Sequence, residues 1–402
     1  MGRLLPFLIL LMAVAFFTRV EFFFYLLYAL FGIFVLGRLW AQRSVRAVAL
    51  QRKHEERLFW GDQVPVQLEI RNTGWLPVLW LRLDDGVPLE LGSSAHHRWV
   101  ISLAPHERQV LSYTLRGRRR GYYQLGPLVT LGGDLLGSTT YKVPHHDGDL
   151  VIVYPKIVPL RDLGLPSQSP FGTLPSRQRL FEDPTRIRGV RDYQPGDSLR
   201  RMDWKTSARV GALQVRRYEP TMALETGILL NLDSDDYPPQ HCRDATERGI
   251  VVAASLATHL IEKRQAVSLA TNGRDPLQDP PSAEKARTAS ALPLRKGREH
   301  LMQVLDLLAR IERTGEDEAV PFLDLLSRRT LALPWGSTVV VITPREVAGL
   351  FDTLLTLRRR GLLPILVLLL PDLEFTLTAR RADQIGTQAI RIWSEQDLDM
   401  WR

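Results

Sequence analysis

The first forty residues constrain this chain more than any other part of it. Leu4–Phe17 and Phe22–Gly37 carry no charged side chain, and Thr18-Arg19-Val20-Glu21 separates them. One continuous membrane helix would bring Arg19 and Glu21 to mid-bilayer, at roughly 2.5–3.5 kcal/mol for each such charge. Folded as a hairpin, the same charges lie at the membrane surface. Arms of 14 and 16 uncharged residues span about 21 and 24 Å, against ~30 Å of hydrocarbon. Arg3 and Arg38 can snorkel to close the gap. The expectation is a transmembrane helical hairpin within residues 1–40.

Orientation follows from the basic residues. Arg38, Arg43, Arg46, Arg52, Lys53 and Arg57 follow the second arm, whereas the turn between the arms holds only Arg19 beside Glu21. The positive-inside rule then puts both ends and the bulk of the chain in the cytoplasm, as a multi-pass protein of the inner (cytoplasmic) membrane. A cleaved signal peptide is the rival reading, since Ala13-Val14-Ala15 imitates a cleavage site. Even then the second segment would stop transfer. The single cysteine, Cys242, excludes an intramolecular disulfide and fits a reducing compartment.

Residues 45–155 change to short alternating runs. Val64–Ile70 alternates apolar and polar residues and ends at Asn72-Thr73-Gly74; similar runs are Leu79–Leu83, Trp99–Leu103, Gln109–Leu115, Gly126–Leu131 and Leu150–Val153. Their length and spacing fit a β-sandwich of Ig-like type. His96-His97 and His145-His146 are expected in surface loops, because neighbours on a strand point to opposite faces and cannot share a metal. Arg116-Gly117-Arg118-Arg119-Arg120-Gly121 reads as a basic turn, either solvated or facing anionic headgroups near the anchor.

Residues 221–402 alternate strand and helix. Strands are expected at Gly227–Asp233, Ala266–Thr271, Ser337–Thr343, Pro364–Leu370 and Ala389–Trp393, with helices at Thr246–Lys263, Arg298–Ile311 and Val347–Arg360. The polar span from Asn272 to about Leu292 reads as a surface loop. Such alternation implies a doubly wound α/β sheet, whose functional edge lies at the strand C-terminal ends. That edge resembles the von Willebrand factor A domain, in which an Asp-x-Ser-x-Ser loop and a distant Thr hold a divalent cation through oxygen ligands. Here the loop is Asp233-Ser234-Asp235-Asp236-Tyr237. Asp233, Asp235 and Thr343 are the candidate ligands for Mg²⁺. Both serines of the pattern are missing, and a degenerate structural loop is the favoured reading, with no resident cofactor.

The densest signal lies in the linker, residues 156–220. Between Arg177 and Arg217 eleven basic residues face five acidic ones, an excess that supplies six of the chain's net +8. Embedded there are Arg191-x-Tyr193-x-x-Gly196-Asp197, then Arg200-x-x-Asp203-Trp204-x-x-Ser207-Ala208-Arg209, then Arg216-Arg217-Tyr218-Glu219. Pro195-Gly196-Asp197 is a turn. Asp197 and Asp203 are placed to pair with neighbouring arginines, and Trp204 offers guanidinium groups a flat face. One reading is an internal ion-pair network that locks the loop against the α/β domain; another is a surface read by a partner. The interleaved acids argue against nucleic acid as that partner.

These three segments resemble the signature of the bacterial "domain of unknown function 58" family, and the resemblance extends along the chain. It implies two N-terminal membrane segments, a β-domain, the signature, and a von Willebrand A-like domain. It further implies work beside a MoxR-type AAA+ ATPase or its client, in cofactor insertion, assembly, maturation or envelope stress. The sequence holds no Gly-x-Ser-x-Gly, His-Glu-x-x-His or phosphate-loop motif. A non-enzymatic membrane-anchored scaffold is therefore expected. The alternatives are a divalent-metal-dependent binder or hydrolase built on Asp233, and nucleic-acid binding through the basic loop.

Overall fold

Helix α1 runs from Glu21 to Arg46, preceded by Val20 in an extended conformation. In the computed structural model the described residues are 10–13, 16–17, 20–92, 96–134, 140–146, 148–160, 182–194, 202–220, 225–277, 289–314, 320–369, 375–394 and 397. Among them α1 alone is long and apolar enough to cross a membrane, and none of its most apolar stretch is buried in protein. Most of the first apolar segment, and Thr18-Arg19 of the expected turn, lie outside the described residues. The helix does not end with the second apolar segment at Gly37. The helix continues to Arg46, because Ala41, Ser44 and Val45 fall on one face and bury there. Arg43 and Arg46 in the last turn complement the helix dipole.

The chain divides into two units: Met1–Lys156 with Leu305–Arg310, and Ile157–Val304 with Ile311–Arg402. The first unit is built from three sheets. One pairs β1 (Val48–Lys53), β3 (Gln63–Asn72) and β6 (Arg108–Arg116). A second pairs β2 (Arg57–Leu58) with β10 (Asp149–Val153) and β7 (Gly121–Leu125). The third is ordered β5 (His96–Leu103), β4 (Val78–Gly86), β8 (Leu128–Gly133) and β9 (Thr140–His146). All pairings are antiparallel except β10 with β2. Alternation along β3 drives the packing: Val64, Val66, Leu68 and Ile70 all point inward. Each such side chain contributes about 1.5–3 kcal/mol on burial. Val45 of α1 joins Ile70, Leu81, Leu83 and Leu103 in one core cluster, so the last turns of the helix are part of the β-domain's interior.

A charged network is also buried in this unit. Arg52 pairs with Asp85 at 2.5 Å, both side chains fully buried, and with Asp149 at 2.7 Å. Tyr113 donates to the second oxygen of Asp85 at 2.7 Å. Burial opposes the Arg52 charge, but Asp85 and Asp149 outweigh it and hold the guanidinium above its ordinary value. Burial, then Asp85, push the Tyr113 phenol up. His97 stacks on Tyr113 at 4.4 Å within β5, not in a surface loop. The basic turn sits at the far end of β3. Arg116 pairs with Gln63, whereas Asn72 at the other end pairs with Val48 next to α1. At ~3.3 Å per residue these ends are about 30 Å apart, which removes the turn from the surroundings of the helix.

In the second unit, β11 (Glu182–Asp192) and β12 (Gln214–Pro220) form an antiparallel hairpin that encloses the short helix α2 (Trp204–Val210). The main sheet is ordered β15 (Ser290–Arg295), β14 (Ala266–Thr271), β13 (Glu225–Leu230), β16 (Thr338–Thr343), β17 (Leu363–Leu368) and β18 (Gln388–Arg391). Counted within the sheet this is order 3-2-1-4-5-6, that of a doubly wound fold. Every pair is parallel except β14 with β15. All six residues of β16 are buried, as a strand covered on both faces requires. Helices α3 (Cys242–Glu262), α4 (Arg298–Arg310, of which Leu305–Arg310 counts with the first unit), α5 (Phe322–Thr330), α6 (Leu350–Arg359) and α7 (Phe375–Gln384) connect the strands. Gly249 lets α3 lie close on the sheet: a β-carbon there would meet Leu369 at 2.8 Å. The expected loop from Asn272 to Leu292 ends earlier, since Ser290 opens the edge strand β15.

Candidate functional site

The sheet's C-terminal edge is organised by a residue that the sequence pattern passed over. β13 ends at Leu230, and Asn231 prolongs its ladder by donating its N–H to Ile342 O. The Asn231 side chain is fully buried. Its Oδ1 accepts from Asp233 N at 3.1 Å and from Asn272 Nδ2 at 3.2 Å. Its Nδ2 donates to Asp236 at 2.7 Å and to Thr343 Oγ1 at 3.2 Å. Both acceptor positions and both donor hydrogens are thereby used.

The two expected acidic ligands face other tasks. Asp233 accepts the N–H of Asp235 at 3.2 Å and caps the single 3-10 turn Ser234–Asp236. Ser234 donates its hydroxyl to Thr314 O. Asp235 is exposed, and its carbonyl accepts from Arg345 at 2.9 Å. Burial, reinforced by the charges of Asp236 and Asp235, pushes the Asp233 carboxyl above the usual carboxylate value. Thr343 does reach the cluster, donating to Arg345 O at 3.1 Å while it accepts from Asn231.

A divalent ion needs converging oxygens. Here an amide NH₂, a donor that repels a cation, stands between Asp236 and Thr343, so this donor set does not fit the ion that the resemblance implies. Among the described residues, no group of three or more His, Cys, Asp or Glu could hold a metal.

The signature residues build a second feature. Asp203 caps α2, accepting the Thr206 N–H at 3.0 Å, and its other oxygen pairs with Arg216 at 3.1 Å. The Thr206 bond, then Arg216, hold the Asp203 carboxyl below its ordinary value. Ser207 donates to Asp203 O at 2.7 Å and accepts from Gln214 N at 2.8 Å, stitching the helix to β12. Gln214 reaches across the hairpin to Asp192 at 2.5 Å. Tyr193 donates its N–H to Leu213 O at 2.9 Å, and Arg191 donates to Asp192 O at 3.1 Å. Gly211 ends the helix at φ +74°, where a side chain would be strained.

Outward from this frame stand Trp204, 64% exposed, with Lys205, Ala208, Arg209, Val210 and Leu213. Gly196, Asp197 and Arg200 lie outside the described residues, as do the side chains of Arg217, Tyr218 and Glu219, whose backbone runs in β12. An arginine partner for Asp203 is expected from the sequence; the Ser207 bridge is local but carries no recognisable motif, and the Asn231 hub depends on strands that are distant in the chain.

Residues 189–343 match the family model described as protein of unknown function DUF58. Uncharacterized protein YeaD of Bacillus subtilis (strain 168) is 23% identical over 291 residues, which cover 71% of this chain and 68% of that protein. Among solved structures, a von Willebrand factor type A protein from Catenulispora acidiphila is 10% identical over 47% of this chain and 43% of its own, with a TM-score of 0.32. The CARDB domain of a Pyrococcus furiosus protein is 14% identical over 26% of this chain and 91% of its own, with a TM-score of 0.21. Neither structural likeness is near enough to carry an argument. The family match opens inside β11, encloses the Asp203–Ser207–Gln214 frame and the Asn231 hub, and closes on Thr343; over that segment the chain is similar to the DUF58 family.

Proposed function

We propose that the protein is a non-catalytic, membrane-anchored interaction scaffold. In this reading a two-pass N-terminal hairpin holds it in the inner (cytoplasmic) membrane, with the bulk of the chain in the cytoplasm. An Ig-like β-domain then carries an α/β domain of von Willebrand A type. The protein works with a MoxR-type AAA+ ATPase or that enzyme's client in assembly, maturation or envelope stress.

The observation that carries the reading is the exposure of Trp204 on a frame fixed by hydrogen bonds. A large aromatic held outward, on the same short helix as Arg209, has the composition of an interface hot spot. Helix α1 supports the membrane assignment, and the family resemblance supplies the class of partner. Hard-oxygen metal chemistry at Asp233 gains no support from an edge whose centre is an amide.

The test is a photo-crosslinking amino acid in place of Trp204, activated in native membranes with and without ATP. Capture of an AAA+ ATPase or its substrate, changing with nucleotide, is the expected result. Recovery of neither in both nucleotide states overturns the reading.

A further inference from the structure

Helix α1 enters the β-domain without a linker. Its last turns, from Ala41 onward, are built into the domain's core, and the hydroxyl of Tyr141 on β9 donates to Arg38 O at 3.4 Å. Only Phe22–Gly37 is therefore free to face lipid, about 24 Å of helix against ~30 Å of hydrocarbon. The shortfall of roughly 6 Å corresponds to about four further residues, which draws Arg38–Ala41 to the edge of the hydrocarbon. What lies beside those residues in the β-domain must then lie at the same depth.

Trp40 fixes which part that is. Its indole N–H donates to Pro77 O at 3.0 Å. Two residues before that proline, Trp75 is 73% exposed, and two residues after it Leu79 is 39% exposed. The turn that carries Trp75 is tied to the helix end, since Thr73 donates both its N–H and its hydroxyl to Ala47 O. The segment from Thr73 to Leu79 thus runs from Ala47 to Trp40 along the last turns of α1, and Trp40, Trp75 and Leu79 are its exposed apolar side chains. Arg38, Arg43 and Arg46 flank Trp40 on the helix. Aromatics with a polar edge, flanked by arginines, are the side chains favoured at a membrane–water interface.

We infer that this exposed apolar set, centred on Trp75, docks the β-domain directly onto an anionic bilayer surface, with Trp40, Trp75 and Leu79 in the headgroup layer. The inference rests on α1 crossing the membrane and adds a fixed standing orientation of the β-domain on it. The opposite end of β3, where Trp60 donates to Arg118 O and Leu89 is exposed, then points away from the lipid.

The experiment uses the full chain with Cys242→Ser, reconstituted in nanodiscs containing phosphatidylglycerol. Single cysteines replacing Tyr28, Trp75 or Leu89 carry an environment-sensitive fluorophore, and nitroxide lipids labelled deep in the acyl chain or at the headgroup act as quenchers. The expected order is deep quenching at Tyr28, headgroup quenching at Trp75, and none at Leu89. Quenching at Tyr28 with Trp75 as silent as Leu89 overturns the docking surface and leaves the membrane anchor standing. No quenching at Tyr28 removes both.

Discussion

The amide nitrogen of Asn231 donates to a carboxylate oxygen of Asp236 at 2.7 Å, at the end of the central strand of the sheet. The same nitrogen reaches Thr343 at 3.2 Å, so one side chain ties the turn after β13 to the end of β16. A cation could bridge the same two groups; here an uncharged donor does so, held in orientation by Asp233 N and Asn272 on its other side.

Asn231→Asp should convert the edge. It would set two carboxylates side by side without a donor between them, destabilising the metal-free fold by about 1–3 kcal/mol. It would also supply the missing oxygen ligand. Thermal melts are expected to show no response to Mg²⁺ or Mn²⁺ in the natural protein, and a lower melting temperature that rises with either ion in the variant. A natural protein whose melting temperature climbs with Mg²⁺ would show that the edge takes a cation as it stands.

Asp233 gives a pH test of the same edge. Burial holds its carboxyl above the ordinary value of 3.8, so the folded protein keeps that proton more tightly than the unfolded chain. Its favourable contribution is complete below 3.8 and is lost as the pH rises through the folded-state value. Asp233→Asn removes the buried charge and retains a good cap. The variant should melt higher than the natural protein at neutral pH, and the difference should vanish under acid conditions below 3.8. Equal melting curves at neutral pH would contradict the assignment.

The Arg52–Asp85 pair predicts asymmetric costs. Asp85→Ala leaves Arg52 with Asp149 and the Leu125 carbonyl and strips Tyr113 of its acceptor, and breaking a buried pair in this way costs about 3–5 kcal/mol. Replacing both members with apolar residues, as in Arg52→Met with Asp85→Leu, should recover most of that loss. Urea unfolding of the three proteins measures it. A double variant no more stable than Asp85→Ala alone would place the stability in the charges themselves.

How much of this was legible in the sequence depended on where each constraint lies. The β16 run Thr338–Thr343 announces a strand buried on both faces, because its four central residues, Val339–Ile342, are consecutive apolar side chains. β15 and α7 escape notice because they are half solvated: Ser290–Arg295 is an edge strand, and Phe375–Gln384 carries two arginines and an aspartate. The apolar segment Phe22–Gly37 is legible, but the continuation of α1 to Arg46 is not, because the burial of Ala41, Ser44 and Val45 depends on strands far away in sequence. The centre of the acidic edge was not legible for a related reason. Asp233 looks like the start of a ligand loop, yet Asn231 holds the strand end, and only the pairing of β13 with β16 brings Thr343 to it.

The signature hairpin separates framework from surface. Ser207→Ala removes the hydroxyl between Asp203 O and Gln214 N and leaves a buried N–H without its acceptor, at about 1–3 kcal/mol. Gly211→Ala forces a side chain into φ +74°, at roughly 1–2 kcal/mol. Trp204→Ala touches an exposed side chain and should stay within about 0.5 kcal/mol of the natural protein. If the hairpin is a partner surface, its binding should rank the other way. Trp204→Ala then abolishes capture of the partner from native membranes while melting normally, and Ser207→Ala loses stability first and capture only in proportion to it. A Trp204→Ala protein that captures its partner as well as the natural chain would leave Asp203, Ser207 and Gln214 with a structural task alone.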